Sequence, residues 1–575
     1  MRPPHLPHSD SMGNAAGTAL GFPGPLRLEK YSEIPDDVEV TQTNRKDEDG
    51  GDAQKQSMQI TTSSTNNSKK ESDRLVLLPE SLDPRKQESL WVLDMYSSAN
   101  VGILVSYFSI GVISKLTQTP VQYYLISHLS ASATQYSVYN TLHRLPWSLK
   151  FVFGMISDGI PVVGYRRKPW LIIGYSGFFL FNLYLYTLVT PSINQTILLV
   201  FSFTCFYVLA DVCTDTMTVE RSFYETDRKR GSIQSVGFIY RSFGKVLGSI
   251  MGTFLYDNGT QFSFDISQIF LVDALIPMIC MGFVLWPLVE LASLKEVPRP
   301  WEQLKEVWRV LQLRAVWRPM SFLYLFSVMQ IPNSAWSNFL VWGLGFSDAQ
   351  LGYLTITSSV VGCIGYISFK LFFFRTSWHR LYIGSSLVSF FFSILQVLLI
   401  LRVNVALGIP DIVFAVGDDA IVALMESLHS MPSIIMFIML CPEGAEGTTF
   451  ALLTAAASLA GTVASDFGSA LTDVWDVSND TLAGGDFSGV LKLAILTSIL
   501  QLSPLAFVWI LPDTREEHAA AVAEGRTSFW GGLALTIVIF ASLAFTVLLS
   551  VLMLYWNDIS CYWNPNLSYC TESEV

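Results

Sequence analysis

The sequence has little charge and few residues in patterns suited to catalysis or metal binding. Only 15% of its 575 residues are charged, whereas 51% are hydrophobic and 13% are aromatic. This composition is too apolar for an ordinary soluble protein of that length, so most of the chain is expected to face lipid. Much of the net charge of −12 lies in the tail and the loops, and it indicates no nucleic-acid partner.

Signatures of enzymes, metal proteins and ATP-driven pumps are also missing. None of the seven cysteines belongs to a cluster with metal-ligand spacing. The sequence has no phosphate-binding loop and no nucleophile-and-base constellation. We therefore expect a protein that is not an enzyme and that binds neither a cofactor nor a metal.

The first 90 residues differ in composition from the rest. Residues 1–90 are rich in Ser, Thr, Asn, Asp, Glu and Gly and have little to bury, so they are expected to be a disordered cytoplasmic tail. They contain no apolar core typical of a secretory signal. The first membrane helix is therefore expected to direct insertion.

Thirteen apolar stretches follow the tail, each near the 20 residues that cross roughly 30 Å of hydrocarbon. A polar cytoplasmic linker at 291–318 divides the first twelve into two sixes, the organisation of carriers built from two halves. We predict an all-α polytopic membrane protein with six-helix halves at 99–290 and 319–511, an additional transmembrane helix at 528–556 and an extracytoplasmic tail at 557–575. The individual spans are 99–125, 133–157, 169–190, 196–220, 231–256, 266–290, 319–344, 349–374, 378–402, 410–440, 447–472, 488–511 and 528–556.

Basic residues and glycosylation sequons indicate one orientation. With the N-terminus in the cytoplasm, the inner loops hold most bases, and the outer side has little beyond Arg402. This topology places Asn66 inside and, at the C-terminus, places Cys561 and Cys570 outside as candidates for a disulfide. These features favour the plasma membrane over an internal membrane. Four sequons that the topology places outside are Asn194, Asn258, Asn479 and Asn566.

The segment 146–169, PWSLKFVFGMISDGIPVVGYRRKP, joins the second and third spans. An apolar helix ends at Asp158, Gly164 permits a tight turn, and bases that include Arg166 and Arg167 follow. The pattern resembles the loop between helices 2 and 3 of the major facilitator superfamily. Within it, P-W-x-x-K, G-x-x-S-D-G-x-P and G-Y-R-R-x-P resemble the folate/biopterin transporter family.

This resemblance covers about residues 100–512 and recurs at three sites. They are ADVCTDTMTVERS at 210–222, GSIQSVGFIYRSFGKVLG at 231–248 and PEGAEGTTFALLTAAASLAGTVAS at 442–465. One departure is Phe151, where the family usually has Pro. The resemblance implies the major facilitator fold and a secondary transporter of folate or pterins that works by alternating access.

Charged residues at membrane depth mark the expected substrate site, because each costs several kcal/mol in lipid unless it is paired or faces a cavity. Asp211 and Asp215 share one face of the fourth span, and Arg241 and Lys245 share one face of the fifth. Asp211 and Arg241 each lie about 15 Å from the inner ends of their spans, so they can meet. A purely structural bridge is the alternative.

Further cations in the first two spans extend this site. Lys115, Arg144 and Lys150 give the first half a cationic cavity, with Trp147 among them. Arg can grip the glutamate carboxylates of folates, and a flat pterin ring can stack on an aromatic face. Trp147 could instead be a core residue or an interface anchor.

The second half is acidic at depth, which suits a proton relay. Asp418, Asp419, Glu426 and His429 lie in the tenth span, and Asp466 lies in the eleventh. Glu426 and His429 could share a proton or form a structural hydrogen bond. Asp418 or Asp419 could instead cap an outer turn.

The inner ends of the second and fourth spans supply an expected gate. Asp158 and Arg221 are placed to form a charge pair that closes the cytoplasmic side in one state. Arg166, Arg167 and Glu220 complete the gate. We expect symport of folate or a pterin with protons. The alternatives are a carrier for another nitrogenous solute such as S-adenosylmethionine, or, from other classes, a channel or a membrane enzyme.

Overall fold

The computed structural model describes residues 38–41, 59–62, 92–129, 133–225, 229–256, 263–285, 288–290, 300–442, 445–472, 474–475 and 477–554. In the tail, strands β1 (Val38–Thr41) and β2 (Gln59–Thr62) pair antiparallel. The rest of the tail, for which the sequence predicted disorder, lies outside the described residues. The other regular elements in these ranges are helical.

Eight α-helices occupy the first half. Helix α1 continues into α2 with a break at Thr117, and α3 continues into α4 with a break at Leu149, which follows Pro146 by three residues. Each pair therefore occupies one predicted span. The helices are α1 (Val101–Leu116), α2 (Gln118–Tyr123), α3 (Ala133–Ser148), α4 (Lys150–Gly159), α5 (Lys168–Thr187), α6 (Ile193–Ser222), α7 (Ser232–Leu255) and α8 (Ile266–Leu285).

A π-helical turn at Tyr124–His128 follows α2. Twelve further α-helices come after α8 in the described residues, with π-helical turns at Phe339–Gly343 and Phe369–Phe373 and a 3₁₀ helix at Ser503–Ile510. The helices are α9 (Pro300–Gln312), α10 (Arg314–Met329), α11 (Trp336–Asn338), α12 (Asp348–Ser368), α13 (Trp378–Ile400), α14 (Val403–Ala406), α15 (Asp411–Leu440), α16 (Glu446–Leu471), α17 (Asn479–Ala483), α18 (Ser488–Leu500), α19 (Arg515–Glu524) and α20 (Phe529–Leu554).

Nine helical segments within the described ranges are long and apolar enough to cross a membrane, so the protein is a multi-pass membrane protein. The other four predicted spans coincide with helices of a different character. The α3–α4 pair and α7 are less apolar than the nine, the apolar part of α8 is short, and α10 has only 16 residues. The count of thirteen spans remains a prediction.

Close backbone contacts set the distance between α1 and α7. A Cβ atom added at Gly244 would lie 2.0 Å from the carbonyl oxygen of Phe108. One added at Gly111 would lie 2.0 Å from the carbonyl oxygen of Arg241. Only glycine permits this approach, which brings the backbone at Arg241 against α1.

The two halves contact each other along α4 and α16 and along α7 and α12. At the first contact, a Cβ atom added at Gly154 would lie 2.7 Å from the carbonyl oxygen of Gly447. We call the end of the bundle where α4 and α6 finish and α5 and α7 begin the Asp158 end. The halves meet closely there.

The additional helix α20 packs against both halves. It contacts α3 of the first half and α10 and α16 of the second. The Thr546 hydroxyl donates to Asp466 of α16 at 3.2 Å, and Ser542 is hydrogen-bonded to Tyr324 of α10. Helix α20 therefore lies beside the boundary between the halves.

Candidate functional site

A buried carboxylate is shared by two cations at the centre of the first half. Arg241 of α7 donates to the Asp211 carboxylate at 2.6 Å, and Lys150 of α4 forms a second ion pair with the same carboxylate. The Asp211 side chain is fully buried, and both cations are nearly so. Burial of three charged groups is tolerable only when they compensate one another. The sequence predicted that Asp211 and Arg241 could meet, and Lys150 joins them.

Asp215 lies one turn along α6 and shares Lys150. The Lys150 ammonium is 3.3 Å from its carboxylate, and the Tyr107 hydroxyl donates to it at 2.8 Å. The Tyr107 oxygen in turn accepts from Gln234 at 2.9 Å. Sequence reasoning missed Tyr107 and Gln234. The available signal was the amide of Gln234, which lies two turns before Arg241 on the same helix face.

Trp147 forms one wall of this charged centre. Its ring lies 4.8 Å from the Lys150 ammonium and 5.5 Å from the Arg241 guanidinium carbon, both within cation–π range. It also packs edge-to-face on Tyr207 with ring centroids 5.2 Å apart. Trp147 therefore contacts both the charges and the core, and the two sequence interpretations are compatible.

Other charged residues of the first half face the second half. Lys115 and Lys245 lie within electrostatic range of Glu426, and Arg144 lies within range of Lys115 and Asp466. The side chains of Arg144 and Glu426 are exposed although both lie well inside their helices. Lys245 forms no ion pair in the described structure. Of the two bases on this face of α7, Arg241 is the one that pairs with an acid of α6.

The acidic residues of α15 divide between two places. Asp418 accepts a hydrogen bond from Gln396 of α13 at 3.2 Å, and Asp419 is its neighbour. Further along α15, the His429 ring packs on Phe326 at 5.1 Å. No hydrogen bond joins Glu426 to His429 in the described structure, so the second half does not bring its candidate proton-coupling residues into one cluster.

The Asp158 end is held shut by a carboxylate of the first half and a helix of the second. The Asp158 carboxylate accepts from the Thr448 backbone N–H at 2.5 Å and from the Thr448 hydroxyl at 2.6 Å. Thr448 lies in the first turn of α16, where a negative charge also interacts favourably with the helix dipole. Arg167 pairs with Asp158, and Arg166 lies 3.5 Å from it.

Arg167 connects these groups to two further acids. It donates to Glu220 at 3.0 Å and to the Ser157 hydroxyl at 3.1 Å, and it lies 3.8 Å from Glu446 of the second half. Burial opposes its charge, but the surrounding carboxylates raise the pKa of the Arg167 guanidinium above its ordinary value. The guanidinium therefore stays charged.

Arg221 has other partners than the sequence predicted. Its guanidinium donates to the Asn100 side-chain oxygen at 2.8 Å and to the carbonyl oxygens of Met217 at 3.0 Å and Val289 at 2.7 Å. The expected Asp158–Arg221 pair is not formed in this structure. The loop before α5 folds back and brings Arg167 to Asp158 instead.

Glu290 holds that loop and was missed by the sequence reasoning. Its carboxylate accepts from the backbone N–H groups of Arg166 at 2.6 Å, Arg167 at 3.0 Å and Lys168 at 3.0 Å. Burial raises the pKa of Glu290, and these N–H groups offset part of that effect. Backbone donors leave no sequence signal. A second missed acid, Asp273, is fully buried in α8, where the apolar run IFLVDALIP could have revealed it.

Little space remains between the charged centre and the closed end. The gap beside Lys150 and Asp215 leaves essentially no room even for a water molecule, and it is lined on the other side by α16 residues that include Phe450 and Thr454. Pockets for drug-sized ligands measure roughly 300–1,000 Å³. A folate-sized molecule cannot reach the centre from the Asp158 end in this conformation.

The predicted modification sites are only partly described. Asn194 is exposed at the start of α6, and Asn479 begins α17. Five predicted positions lie outside the described residues, namely Asn66, Asn258, Asn566, Cys561 and Cys570.

Comparison with known proteins identifies relatives along most of the chain. The model of the BT1 family matches residues 110–525. A folate-biopterin transporter of Synechocystis sp. is 30% identical over 419 residues, covering 72% of this chain and 81% of that protein. Folate transporter 1 of Plasmodium falciparum is 25% identical over 373 residues, covering 64% and 71%.

A solved structure of the major facilitator transporter FucP in the outward conformation is also similar. It covers 71% of this chain and 97% of that chain at 11% identity, with a TM-score of 0.47. The sequence relatives confirm the resemblance seen at 146–169 and at the three later motifs. Helix α20 lies entirely beyond the matched segment. On the family match and the 30% identity, this protein belongs to the BT1 family.

Proposed function

We propose that the protein is a secondary transporter that moves folate or a related pterin by alternating access, in symport with protons. Its relatives are named folate-biopterin or folate transporters, and they align with most of this chain. The exposed position of Asn194 is consistent with glycosylation on the outer side and with residence in the plasma membrane.

The observation that carries the proposal is the shared carboxylate of Asp211. Lys150 and Arg241 both pair with it under the face of Trp147. A glutamate carboxylate of folate presents the same chemistry as Asp211 and can compete for Arg241 with bidentate geometry. The aromatic face beside both cations suits a flat pterin ring.

Alternating access needs contacts that form at one end and break when that end opens. The hydrogen bonds that Thr448 donates to Asp158 and the ion pair between Arg167 and Glu446 cross between the halves, so opening of the Asp158 end must break them. The cations Lys115, Arg144 and Lys245 would meet the substrate from the opposite end. Closure of the Asp158 end is what an outward-facing state requires, and we assign the conformation described here to that state.

Proton coupling is assigned to acids that lie between the halves. Glu426 faces Lys115 and Lys245, and Asp466 faces Arg144. Uptake of an anion into a negatively charged cell needs compensating positive charge, and protonation of these carboxylates on the outer side would supply it. Asp418, Asp419 and His429 remain secondary candidates.

A carrier for another nitrogenous solute is the second candidate. The exposed carboxylate of Glu426 between the halves could bind a cation, which favours a solute such as S-adenosylmethionine. Labelled folate, biopterin and S-adenosylmethionine should be offered to proteoliposomes with and without an inward proton gradient. We expect folate or biopterin uptake that the gradient accelerates. Uptake of S-adenosylmethionine alone would favour the second candidate. Equal uptake rates with and without the proton gradient would contradict proton coupling.

A further inference from the structure

We propose that the protein has a phosphate-binding site between its two halves at the Asp158 end, formed by Arg515 and Arg230. Arg230 precedes α7 in the first half, and Arg515 begins α19 after the second half. The site is separate from the charged centre around Asp211 and does not depend on the transported substrate.

The Arg515 guanidinium is held in a fixed orientation. Its central carbon lies 3.8 Å from the centroid of the Phe374 ring, and Nη1 donates to the carbonyl oxygen of Arg230 at 3.0 Å. Nε and Nη2 are both buried and have no hydrogen-bond partner. These two nitrogens present parallel N–H groups on one edge of the guanidinium, which is the geometry that binds a phosphate or carboxylate through two bonds.

Arg230 contributes a third unsatisfied donor. Its Nε is buried without a hydrogen-bond partner, although its own carbonyl is bonded to Arg515. Leaving a buried charged donor unpaired is costly, so an anion bound at the paired N–H edge of Arg515 would be stabilising, and Arg230, whose carbonyl contacts Arg515, supplies a further unsatisfied donor in the same region. Burial lowers the pKa of Arg515 to about 10, and a bound anion would offset this effect.

The charges of the described residues around this site favour an anion. Lys370 and Arg375 add two cations within electrostatic range of this region, and the acids within range are Glu225 and Glu516. Among the described residues, these two cations together with Arg230 and Arg515 outnumber the two carboxylates, so the region favours an anion such as a phosphate monoester. Glu225 cannot easily take the ligand's place, because its oxygens accept from the backbone N–H groups at positions 231 and 233, at 2.6 and 2.9 Å.

The position of the site restricts the source of the phosphate. Arg230 and Arg515 lie where membrane helices end, at the depth expected for lipid headgroups. The phosphate can therefore come from an anionic phospholipid or from solution. In either case it would bridge the two halves and favour the conformation in which the Asp158 end is closed.

The test uses the full-length protein in detergent and titrates it with three probes. Dioctanoyl phosphatidic acid represents a lipid phosphate, inorganic phosphate represents the soluble source, and dioctanoyl phosphatidylcholine controls for acyl chains. We expect at least one of the first two probes to raise the melting temperature saturably, and phosphatidylcholine to have no such effect. A response to phosphatidic acid alone assigns the lipid source, and a response to inorganic phosphate assigns the soluble one.

Two variants test the residue assignment. Arg515→Gln should abolish the response, and Arg515→Lys, which retains a charge but lacks the paired N–H edge, should weaken binding roughly ten- to a hundredfold. Arg526→Gln is the matched control, because that side chain is 61% exposed and pairs with Glu524 at 2.5 Å. The proposal is overturned if neither phosphate probe binds the parent, or if Arg515→Lys binds as tightly as the parent does.

Discussion

The contact that closes the Asp158 end can be weakened by a single isosteric change, Asp158→Asn. The Asp158 carboxylate is fully buried and divides its oxygens between Thr448 of the second half and the two arginines of its own half. An asparagine keeps the shape but has only one acceptor oxygen. Whichever way the amide turns, either Thr448 or Arg167 meets an N–H group in place of an acceptor.

The magnitude follows from the bonds that cross between the halves. A hydrogen bond to a charged group contributes about 1.5–3 kcal/mol, so loss of about 2 kcal/mol from the closed state shifts its equilibrium about 30-fold. Spin labels at Ile160 and Leu371, exposed sites on the two halves, would report this as longer distances. We also expect slower substrate uptake at unchanged surface expression.

A matched variant separates this effect from a general change in charge. Glu306→Gln removes an exposed carboxylate whose one partner among the described residues is Arg309 on the same helix, at 3.0 Å, and it should alter neither distances nor uptake. Unchanged distances and uptake in Asp158→Asn would refute the assignment of Asp158 to closure. Asp158 would then have no role in closure beyond helping to set the orientation of the loop in the membrane.

Three further predictions concern the charged centre, acid stability and topology. The double variant Asp211→Arg/Arg241→Asp keeps the ion pair but moves the cation to α6, so we expect it to fold without transporting the substrate. Full uptake by this variant would show that Arg241 has a structural role only. Burial lowers the pKa of His518 from 6.5 to about 4, so stability is complete above pH 6.5 and falls as the pH drops toward 4. At pH 5 the loss is about 2 kcal/mol, and His518→Gln should abolish this acid sensitivity in thermal unfolding. Glycosidase treatment should lower the apparent mass of the parent protein by more than it lowers the mass of Asn194→Gln. Equal decreases in mass would show that Asn194 carries no glycan.

Helical periodicity and rise per residue were sufficient to predict the contact between Asp211 and Arg241. Both residues lie at similar depth on facing helices, so their meeting requires only regular geometry. Lys150 was assigned to the substrate site but not to this carboxylate. The helix is interrupted at Leu149, immediately before Lys150, and the direction of the Lys150 side chain then depends on how α4 packs against α6 and α16.

The partners at the Asp158 end were harder to predict because they are backbone groups or lie in loops. Arg221 binds two carbonyl oxygens and Asn100, and Glu290 binds three consecutive N–H groups of the loop before α5. No sequence pattern indicates which backbone groups or loop residues a charged side chain will bind. The charges themselves were identified from the motif at 146–169, whereas their pairing required the folded loop.

Counterflow in proteoliposomes tests the central proposal most directly, because only a carrier with alternating access can exchange substrate without net flux. Vesicles containing the full-length protein are loaded with excess unlabelled folate and diluted into trace labelled folate, with no ion gradient. We predict that label rises transiently above its equilibrium level, and that Arg241→Gln suppresses this overshoot. Simple equilibration of the label, with no overshoot for folate or biopterin, would contradict the proposed mechanism.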